Sequence, residues 1–466
     1  MSEGQDGVLA VSTECPSCGA GLDFREAANA VRCAHCRSQL LVTGRGQLLA
    51  YGIAASSTES EARSLVQFAL PADRRGARAC EATLYRIPYY RVTAEELLWR
   101  VDDPERERRR NVAEVAAWLG RETPKWAEAD ALDVGSPKSG RLAFKSRFLQ
   151  RSFLARPTPL VPPSLGVRSE VVRLVLFDRA ADPEGTVVVA PDPGVAAEPP
   201  PPGPDVRARQ LVRVVRQLLW FPFWMVPIES PDGTSIAVVD AVAGRIVRPD
   251  GEAESLRVLE HAQVQAATIG FRPLVCPNCG WDLPLRPDDA VFVCRTCARA
   301  WLVDGDRLER VPFRVASAAA DTVRYLPVWK LGGEGTRATF APAFRCRGLR
   351  PLVELGGRLN AQGAAFPSNF AGGDELAANG GPTAPALLGC ALDVADARAL
   401  ARFVCEGTES ATAPGDAPSA ELLWLPFSHD GYSLREPRTG ATIPRRLLEE
   451  SEADGMSGER DLVSVT

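Results

Sequence analysis

C-P-S-C-G at residues 15–19 is the stretch that decides the fold, because it recurs later in the chain with matching neighbours. Fourteen residues separate its second cysteine from C-A-H-C at 33–36. The second copy is C-P-N-C-G at 276–280, and fourteen residues again lead to C-R-T-C at 294–297. Two hooks of two cysteines, each on a tight turn, are typical of a zinc ribbon. The sequence therefore predicts two ribbons.

Each ribbon offers four thiolates, the number that a structural zinc ion needs. Zinc prefers a tetrahedron with zinc–sulfur distances of about 2.3 Å, and each C-x2-C hook supplies two sulfurs from one turn. Gly19 and Gly280 follow the first hooks and free the backbone for that turn. We expect two structural Zn²⁺ ions per chain. The predicted ligands are Cys15, Cys18, Cys33, Cys36, Cys276, Cys279, Cys294 and Cys297.

Other uses of these cysteines are weaker alternatives. Iron takes the same four ligands in a rubredoxin-like site, so the ligand set alone does not separate it from zinc. A redox role for one C-x-x-C pair would not require a second pair at ribbon spacing. A catalytic zinc keeps three protein ligands and an open position, which four cysteines do not leave. Because four cysteines complete the shell, His35 is expected to be a bystander or a hydrogen-bond donor to the sulfurs rather than a ligand. We expect Cys80, Cys346, Cys390 and Cys405 to be small buried hydrophobes.

The composition restricts the class of protein. The 466 residues exceed one ordinary core and indicate about two to four domains. A net charge of −5 argues against a dedicated nucleic-acid binder. We expect no secretory signal, and no transmembrane segment, because Arg213 and Arg216 interrupt the most apolar stretch, 211–228. Twelve cysteines, eight of them in close pairs, favour metal binding in a cytoplasmic protein.

Similarity between the two halves extends beyond the cysteines. I-P-Y-Y-R at 87–91 corresponds to L-P-V-W-K at 326–330, and L-L-W-F-P-F at 218–223 corresponds to L-L-W-L-P-F at 422–427. This pattern predicts an internal duplication with two aromatic–proline strands in each half. Because proline lacks a backbone donor, we expect these strands at sheet edges, strand starts or bulges. Each closing string leads into a hairpin around a glycine.

Helical periodicity marks a few further segments. We predict helices over 105–119, 206–219 and 395–404, and a connecting helix over 254–267. Residues 370–385 are rich in Gly, Ala and Asn and are expected to form a long loop. The predicted organisation is ribbon 1 at 1–50, an α+β domain at 51–250 with a Pro-rich linker at 190–205, ribbon 2 at 272–312, an α+β domain at 313–448, and a disordered acidic tail at 449–466.

The combination of C-P-x-C-G ribbons with I-P-Y-Y-R, L-P-V-W-K and F-P-F-W strings resembles uncharacterised bacterial zinc-ribbon proteins that carry Y-x-P-F-W-like strands. The ribbons by themselves resemble rubredoxin-like zinc ribbons of transcription, translation and scaffold proteins. The repeated patterns themselves predict an α+β fold of two homologous halves, each a rubredoxin-like zinc ribbon with a small antiparallel β-sheet domain and flanking helices. The resemblance carries no activity, since ribbons occur in many functions.

The sequence favours a non-enzymatic interaction or scaffold protein. We find no phosphate-binding glycine loop, nucleophile elbow or H-E-x-x-H motif. The aromatic residues of the proline strands most simply form sheet cores, with a partner groove, base stacking or a membrane belt as alternatives. A protein partner is expected, and nucleic acid is the unlikely alternative. That alternative would use the arginines near the ribbons, which are Arg25, Arg32, Arg37, Arg295 and Arg299.

Overall fold

The structure of the chain is a computed structural model that includes the side chains. It describes residues 10–25, 28–44, 48–71, 76–102, 112, 141–165, 174–178, 182–199, 201–202, 206–231, 233–256, 259, 269–317, 323–332, 338–361, 370–372, 387–406 and 419–448. The predicted helix over 105–119, apart from residue 112, and the tail at 449–466 lie outside the described residues.

Strands form most of the described structure. In chain order they are β1 Ala10–Glu14, β2 Gly21–Arg25, β3 Ala30–Arg32, β4 Gln39–Thr43, β5 Leu49–Gly52, β6 Arg78–Ala79, β7 Thr83–Asp102, β8 Arg141–Leu154, β9 Leu174–Leu176, β10 Val187–Val188, β11 Val206–Ser230 and β12 Gly233–Asp240. They continue as β13 Arg245–Glu252, β14 Gly270–Pro273, β15 Val291–Val293, β16 Ala300–Asp304, β17 Arg307–Val311, β18 Phe313–Ala316, β19 Val323–Leu331, β20 Thr339–Pro342, β21 Phe370–Gly372, β22 Ala420–Asp430, β23 Ser433–Arg435 and β24 Thr442–Pro444.

The described helices are α1 Glu59–Ala69, α2 Arg350–Ala361 and α3 Val394–Glu406. Thr58 and Glu61 cap the start of α1 reciprocally, through side-chain bonds to each other's backbone amide. Helix α3 confirms the helix predicted over 395–404. The described start of the predicted connecting helix is a short 3-10 turn, Ala253–Leu256. Residues 370–372 of the predicted loop form β21 instead.

Two large sheets and two small ones organise these elements. Eleven described strands form one sheet, in the order β10-β7-β11-β5-β9-β1-β2, with β8 beside β7, β6 and β12 beside β11, and β13 beside β12. Seven form a second sheet, β20-β19-β22-β18-β21, from which β23 and β24 continue. The three-stranded sheets β14-β4-β3 and β15-β16-β17 belong to the ribbons. The chain is thus mixed α and β and mostly sheet.

The proline strands lie inside the sheets, so the prediction that they would lie at sheet edges, strand starts or bulges is wrong. β11 lies between β7 and β5, and β22 lies between β19 and β18. The amide and carbonyl of one strand residue point to the same side, and the Pro88 carbonyl accepts from the Ala155 amide at 2.9 Å. That amide follows the end of β8. The missing proline donor therefore removes no bond between β7 and β11.

The same contacts occur around both proline–tryptophan pairs. Pro88 stands opposite Trp220 in the first large sheet, and Pro327 stands opposite Trp424 in the second. The Pro327 carbonyl accepts from an alanine amide at 2.9 Å, as Pro88 does. Both indole N–H groups donate to a backbone carbonyl, at 3.0 Å for Trp220 and 3.1 Å for Trp424. These fully buried rings therefore keep their polar atoms satisfied.

The helix predicted over 206–219 is wrong, because this segment is the first half of β11. It pairs with β7 from Val206, opposite Arg100, to Leu218, opposite Tyr90. A register shift between Val212 and Val215 breaks the strict alternation of side chains, with Arg213 at a positive φ of 54°. The shift spaces the apolar residues as on a helix, which explains the wrong prediction.

The outer parts of three strands form an antiparallel extension, called the arm, which contacts helix α3 beside the second large sheet. The arm consists of residues 92–102 of β7, 141–151 of β8 and 206–216 of β11. The Trp99 indole stacks on Phe403 with ring centroids 5.3 Å apart and donates to the Phe403 carbonyl at 3.0 Å. Leu97 and Val212 join the apolar core formed mainly by residues after 290. At the start of α3, Asp396 accepts from the Arg213 amide at 2.8 Å. The arm therefore joins the two halves.

The contact between Asp396 and the arm should respond to pH. Burial and the neighbouring charge of Asp393 raise the pKa of Asp396 to about 7. In the unfolded chain the carboxyl ionises near pH 4, so the folded form binds the extra proton between about pH 4 and pH 7. Stability from this group is full at low pH and is lost as pH rises through about 7. Asp396→Asn, which keeps the acceptor, should abolish that loss in urea unfolding measured between pH 5 and pH 8. An unchanged pH dependence in this variant would contradict the assignment.

Candidate metal centres

The structure brings the eight predicted ligands together in two groups of four. In each group all four sulfur atoms lie within 4.8 Å of one another. In ribbon 1, Cys15 Sγ is 3.7 Å from Cys36 Sγ, and Cys18 Sγ is 3.8 Å from Cys33 Sγ. The two corresponding distances in ribbon 2 are both 3.6 Å. A zinc tetrahedron with bonds of about 2.3 Å requires sulfur–sulfur separations of about 3.8 Å, so both sets fit the ion.

All four hooks use the same backbone turn. The first cysteine donates its amide to the carbonyl five residues later, at 2.8 Å for Cys15 and 3.0 Å for Cys33. Its carbonyl accepts from the amide four residues later, at 2.8 Å for Gly19 and 2.9 Å for Arg37. Cys276 and Cys294 repeat both bonds. Each turn thereby aims its pair of sulfurs at the opposite hook.

The residue after each hook adopts a left-handed backbone. Its φ is 73° at Gly19, 63° at Arg37, 76° at Gly280 and 49° at Ala298. Residues with a side chain pay about 1–2 kcal/mol for this conformation, and glycine does not. The first hook of each ribbon is therefore relaxed, and the second hook carries backbone strain. The sequence identified this requirement at both glycines but gave no signal at Arg37 or Ala298.

The two centres differ in exposure, but each contains one thiol whose pKa is lowered. Cys15 and Cys33 are buried whereas Cys18 and Cys36 are exposed, and all four ligands of ribbon 2 are buried or half-buried. Hydrogen bonds with the Ser38 side chain and backbone lower the pKa of Cys36 to about 6. Burial raises the pKa of Cys276, but backbone hydrogen bonds with Cys279 and Asn278 outweigh it and lower the pKa to about 7. Each centre thus holds one thiol that is readily ionised near neutral pH.

The ribbons pack directly against each other. Strand β14, which enters ribbon 2, pairs antiparallel with β4 of ribbon 1 from Gly270 opposite Thr43 to Pro273 opposite Leu40. Ala30 and Leu41 of ribbon 1 belong to the same apolar cluster as Cys276, Cys294, Phe292 and Trp301. Ribbon 1 therefore completes the core around two ligands of ribbon 2.

Polar contacts at this joint involve acidic residues that the sequence did not single out as structural. Asp288 pairs with Arg25 of ribbon 1 and with Arg345 of the second large sheet's domain. The Asn29 side chain donates to the Asp289 carbonyl at 3.0 Å. The acidic pair at 288–289 gave no metal-ligand or catalytic pattern, and its partners are distant in sequence. Only the tertiary contacts reveal its role.

The other candidates stay away from the sulfur clusters. His35 is exposed and belongs to neither cluster. Cys346, Cys390 and Cys405 are buried, as expected for small hydrophobes, and Cys80 is half-buried. Burial raises the pKa of Cys390 well above its usual value. Of the arginines near the ribbons, Arg32, Arg37 and Arg295 are exposed and the others contact Asp288 or Asn278.

Relieving the strained turn should stabilise ribbon 1. Arg37→Gly removes an exposed side chain from a left-handed position, and we expect a gain of about 0.5–1 kcal/mol in the free energy of unfolding. Arg32→Gly is the matched control, because Arg32 lies in β3. A glycine there should instead cost about 0.5–1 kcal/mol. Thermal unfolding of the zinc-loaded chains compares the two, and equal losses would contradict the strain assigned to Arg37.

Neither a membrane-spanning helix in the described part of the chain nor a similar known protein indicates the function. Among the described residues, no helix is both long and apolar enough to span a bilayer. Comparison with protein-family models, with curated proteins and with solved structures finds no match to the chain. The chemistry of the described chain lies in its two four-cysteine clusters, whose geometry suits a metal ion.

Proposed function

We propose that the chain is a zinc-binding, non-enzymatic protein-interaction or scaffold protein with two structural zinc ions. The observation that carries this is the pair of four-sulfur clusters, with sulfur–sulfur distances of 3.6–3.8 Å. Four thiolates complete the tetrahedron, so a bound ion would have no open position for a substrate. Iron remains the competing ion for the same sulfurs.

We also propose that the chain arose by duplication of a ribbon-plus-sheet unit. The support is the repeated pairing, in which Trp220 faces Pro88 and Trp424 faces Pro327. In each case the tryptophan strand also pairs in parallel with a strand that follows a ribbon, β5 or β18. β9 and β21 then pair antiparallel with those strands. This shared order is simplest if one unit was copied.

A role in protein interaction fits the fold better than catalysis. The large aromatic side chains of the proline strands, including Trp220, Trp329 and Trp424, are fully buried and serve as core. These buried aromatic side chains are therefore not the partner-binding surface, and the ribbons serve to brace the two halves. The reduced thiols needed at both centres favour the cytoplasm as the site of action.

Nucleic acid is the alternative partner, through the arginines near the ribbons. Arg25 pairs with Asp288, and Arg299 donates to the Asn278 side chain. These two arginines are therefore already engaged within the protein. Arg32, Arg37 and Arg295 are the exposed ones. Few phosphate contacts are therefore left near the ribbons, and the net charge of −5 further disfavours this alternative.

Metal analysis tests the zinc proposal. Freshly purified, reduced protein should hold about two zinc ions per chain, and cobalt substitution should give tetrathiolate charge-transfer bands. Cys279→Ser should lower the zinc content to about one and unfold ribbon 2, since binding in small zinc domains contributes on the order of 10–16 kcal/mol. Cys80→Ser is the control, because Cys80 lies outside both clusters and should leave the zinc content unchanged. Iron, or no metal, in the purified chain would refute the proposal.

DNA binding measured against salt separates the two partner classes. We expect no binding of duplex DNA or RNA at physiological salt. The nucleic-acid alternative requires micromolar or tighter binding whose logarithm falls with log salt by about 0.9 per phosphate contact on duplex DNA. Arg295→Glu should abolish such binding, whereas Thr296→Ala changes the same exposed turn without changing its charge. That pattern would overturn the protein-interaction proposal.

A further inference from the structure

Almost all of the charged residues on one face of the arm are basic. Side chains alternate between the two faces of a strand, and the register places Arg151, Arg147 and Lys145 of β8 opposite even-numbered residues of β7. Arg209 and Arg216 of β11 also stand opposite even-numbered residues of β7. The basic residues of this face, called the basic face below, are Arg100, Lys145, Arg147, Arg151, Arg209 and Arg216.

The basic face runs along β7 from Val92 to Arg100 and includes the residues of β8 and β11 that pair with it. Within that region of the face Glu96 is the one acidic residue. Its side chain is 2% exposed and pairs with two arginines, Arg147 and Arg209. One carboxylate between two guanidinium groups leaves a positive excess. The Arg147 side chain is still 58% exposed, and Arg151 is exposed. The face is thus locally cationic on a chain of net charge −5.

The opposite face of β8 is aromatic. Phe144 lies there and packs against Trp99 and Phe403, with ring centroids 5.6 and 5.5 Å away. Phe148, four residues on, projects to the same side but is 46% exposed. A strand placed beside β8 would therefore meet arginines on one face and a phenylalanine on the other.

The edge of β8 is the third feature. Within the described residues β8 pairs with β7 alone, over 14 residues. Its end is held by Ser152, whose hydroxyl donates to the Leu165 carbonyl at 2.7 Å. An edge strand offers backbone groups to an added strand. A second copy of β8 would bring its own arginines against these, so the like charges disfavour self-association.

We propose that the outer edge of β8 binds an extended protein segment in which acidic and apolar residues alternate. This rests on the proposed interaction function and names the chemistry of its partner. The segment adds a strand to the arm, with its carboxylates facing Arg147 and Arg151 and its apolar side chains beside Phe148. The two-residue period of a strand makes the alternation necessary, because a slip of one residue would reverse the faces.

Nucleic acid fits these features less well. Phosphates would use the basic face but neither Phe148 nor the backbone edge. Base stacking needs an aromatic side chain beside the cationic groups. On β8 the exposed aromatic, Phe148, lies on the face opposite to Arg147 and Arg151.

The test uses the full zinc-loaded chain and fluorescein-labelled ten-residue peptides in fluorescence anisotropy. A peptide of five Glu-Val repeats should bind, more weakly as salt rises. A peptide of five Lys-Val repeats should not bind. A block peptide of five Glu followed by five Val, with the same composition, should bind at least fivefold more weakly. Arg151→Glu and Phe148→Ser should each weaken the Glu-Val peptide at least fivefold.

The control variants are Phe68→Ser and Arg295→Glu. Phe68 is 93% exposed on α1, and Arg295 is exposed in ribbon 2, so neither change should affect peptide binding. No binding of the Glu-Val peptide, or binding that Phe148→Ser leaves unchanged, would overturn the proposal. Duplex DNA binding that Arg151→Glu abolishes and Phe148→Ser preserves would also overturn it. Zinc content is measured on the same samples. A chain that holds its zinc but does not bind the peptide therefore contradicts this inference and leaves the zinc proposal intact.

Discussion

Four sulfur atoms can surround one ion only if two tight turns face each other, and this constraint organises the chain. It fixes the hydrogen-bonded turn at each hook and the left-handed residue that follows it, even where that residue is Arg37 or Ala298. It also fixes the short strands between the hooks. Ribbon 1 packs Ala30 and Leu41 against ribbon 2, so the strands of one ribbon support the core of the other.

Each large sheet depends on a tryptophan opposite a proline. The tryptophan fills the core and donates its indole N–H to a carbonyl, while the proline carbonyl accepts an amide from just beyond a neighbouring strand. The proline strands can therefore lie in the sheet interior. The backbone N–H that proline lacks would point to a position where the neighbouring strand has already ended. Burial of two such rings outweighs the rule that proline belongs at an edge.

The arm combines three properties that suit it to binding a partner. It is anchored on α3 by the stacked rings of Trp99 and Phe403, it presents a cationic face, and its outer strand β8 pairs with no described strand other than β7. Anchoring matters for binding, since a rigid strand loses less conformational entropy when a partner pairs with it. Arg213 lies at the register shift of β11, and its amide contacts Asp396.

The sequence by itself determined the two centres, since metal ligation depends on residue type and on a spacing of fourteen residues that a hairpin closes locally. It also determined α3 and the hairpins β12–β13 and β23–β24, whose patterns are local. Only the tertiary structure decided that 206–219 is a strand, because pairing with β7 and the shift at Arg213 override helical periodicity. Likewise, the joint at Asp288 and the ion pairs of Glu96 with Arg147 and Arg209 arise from residues brought together across more than 50 positions, which no local pattern records.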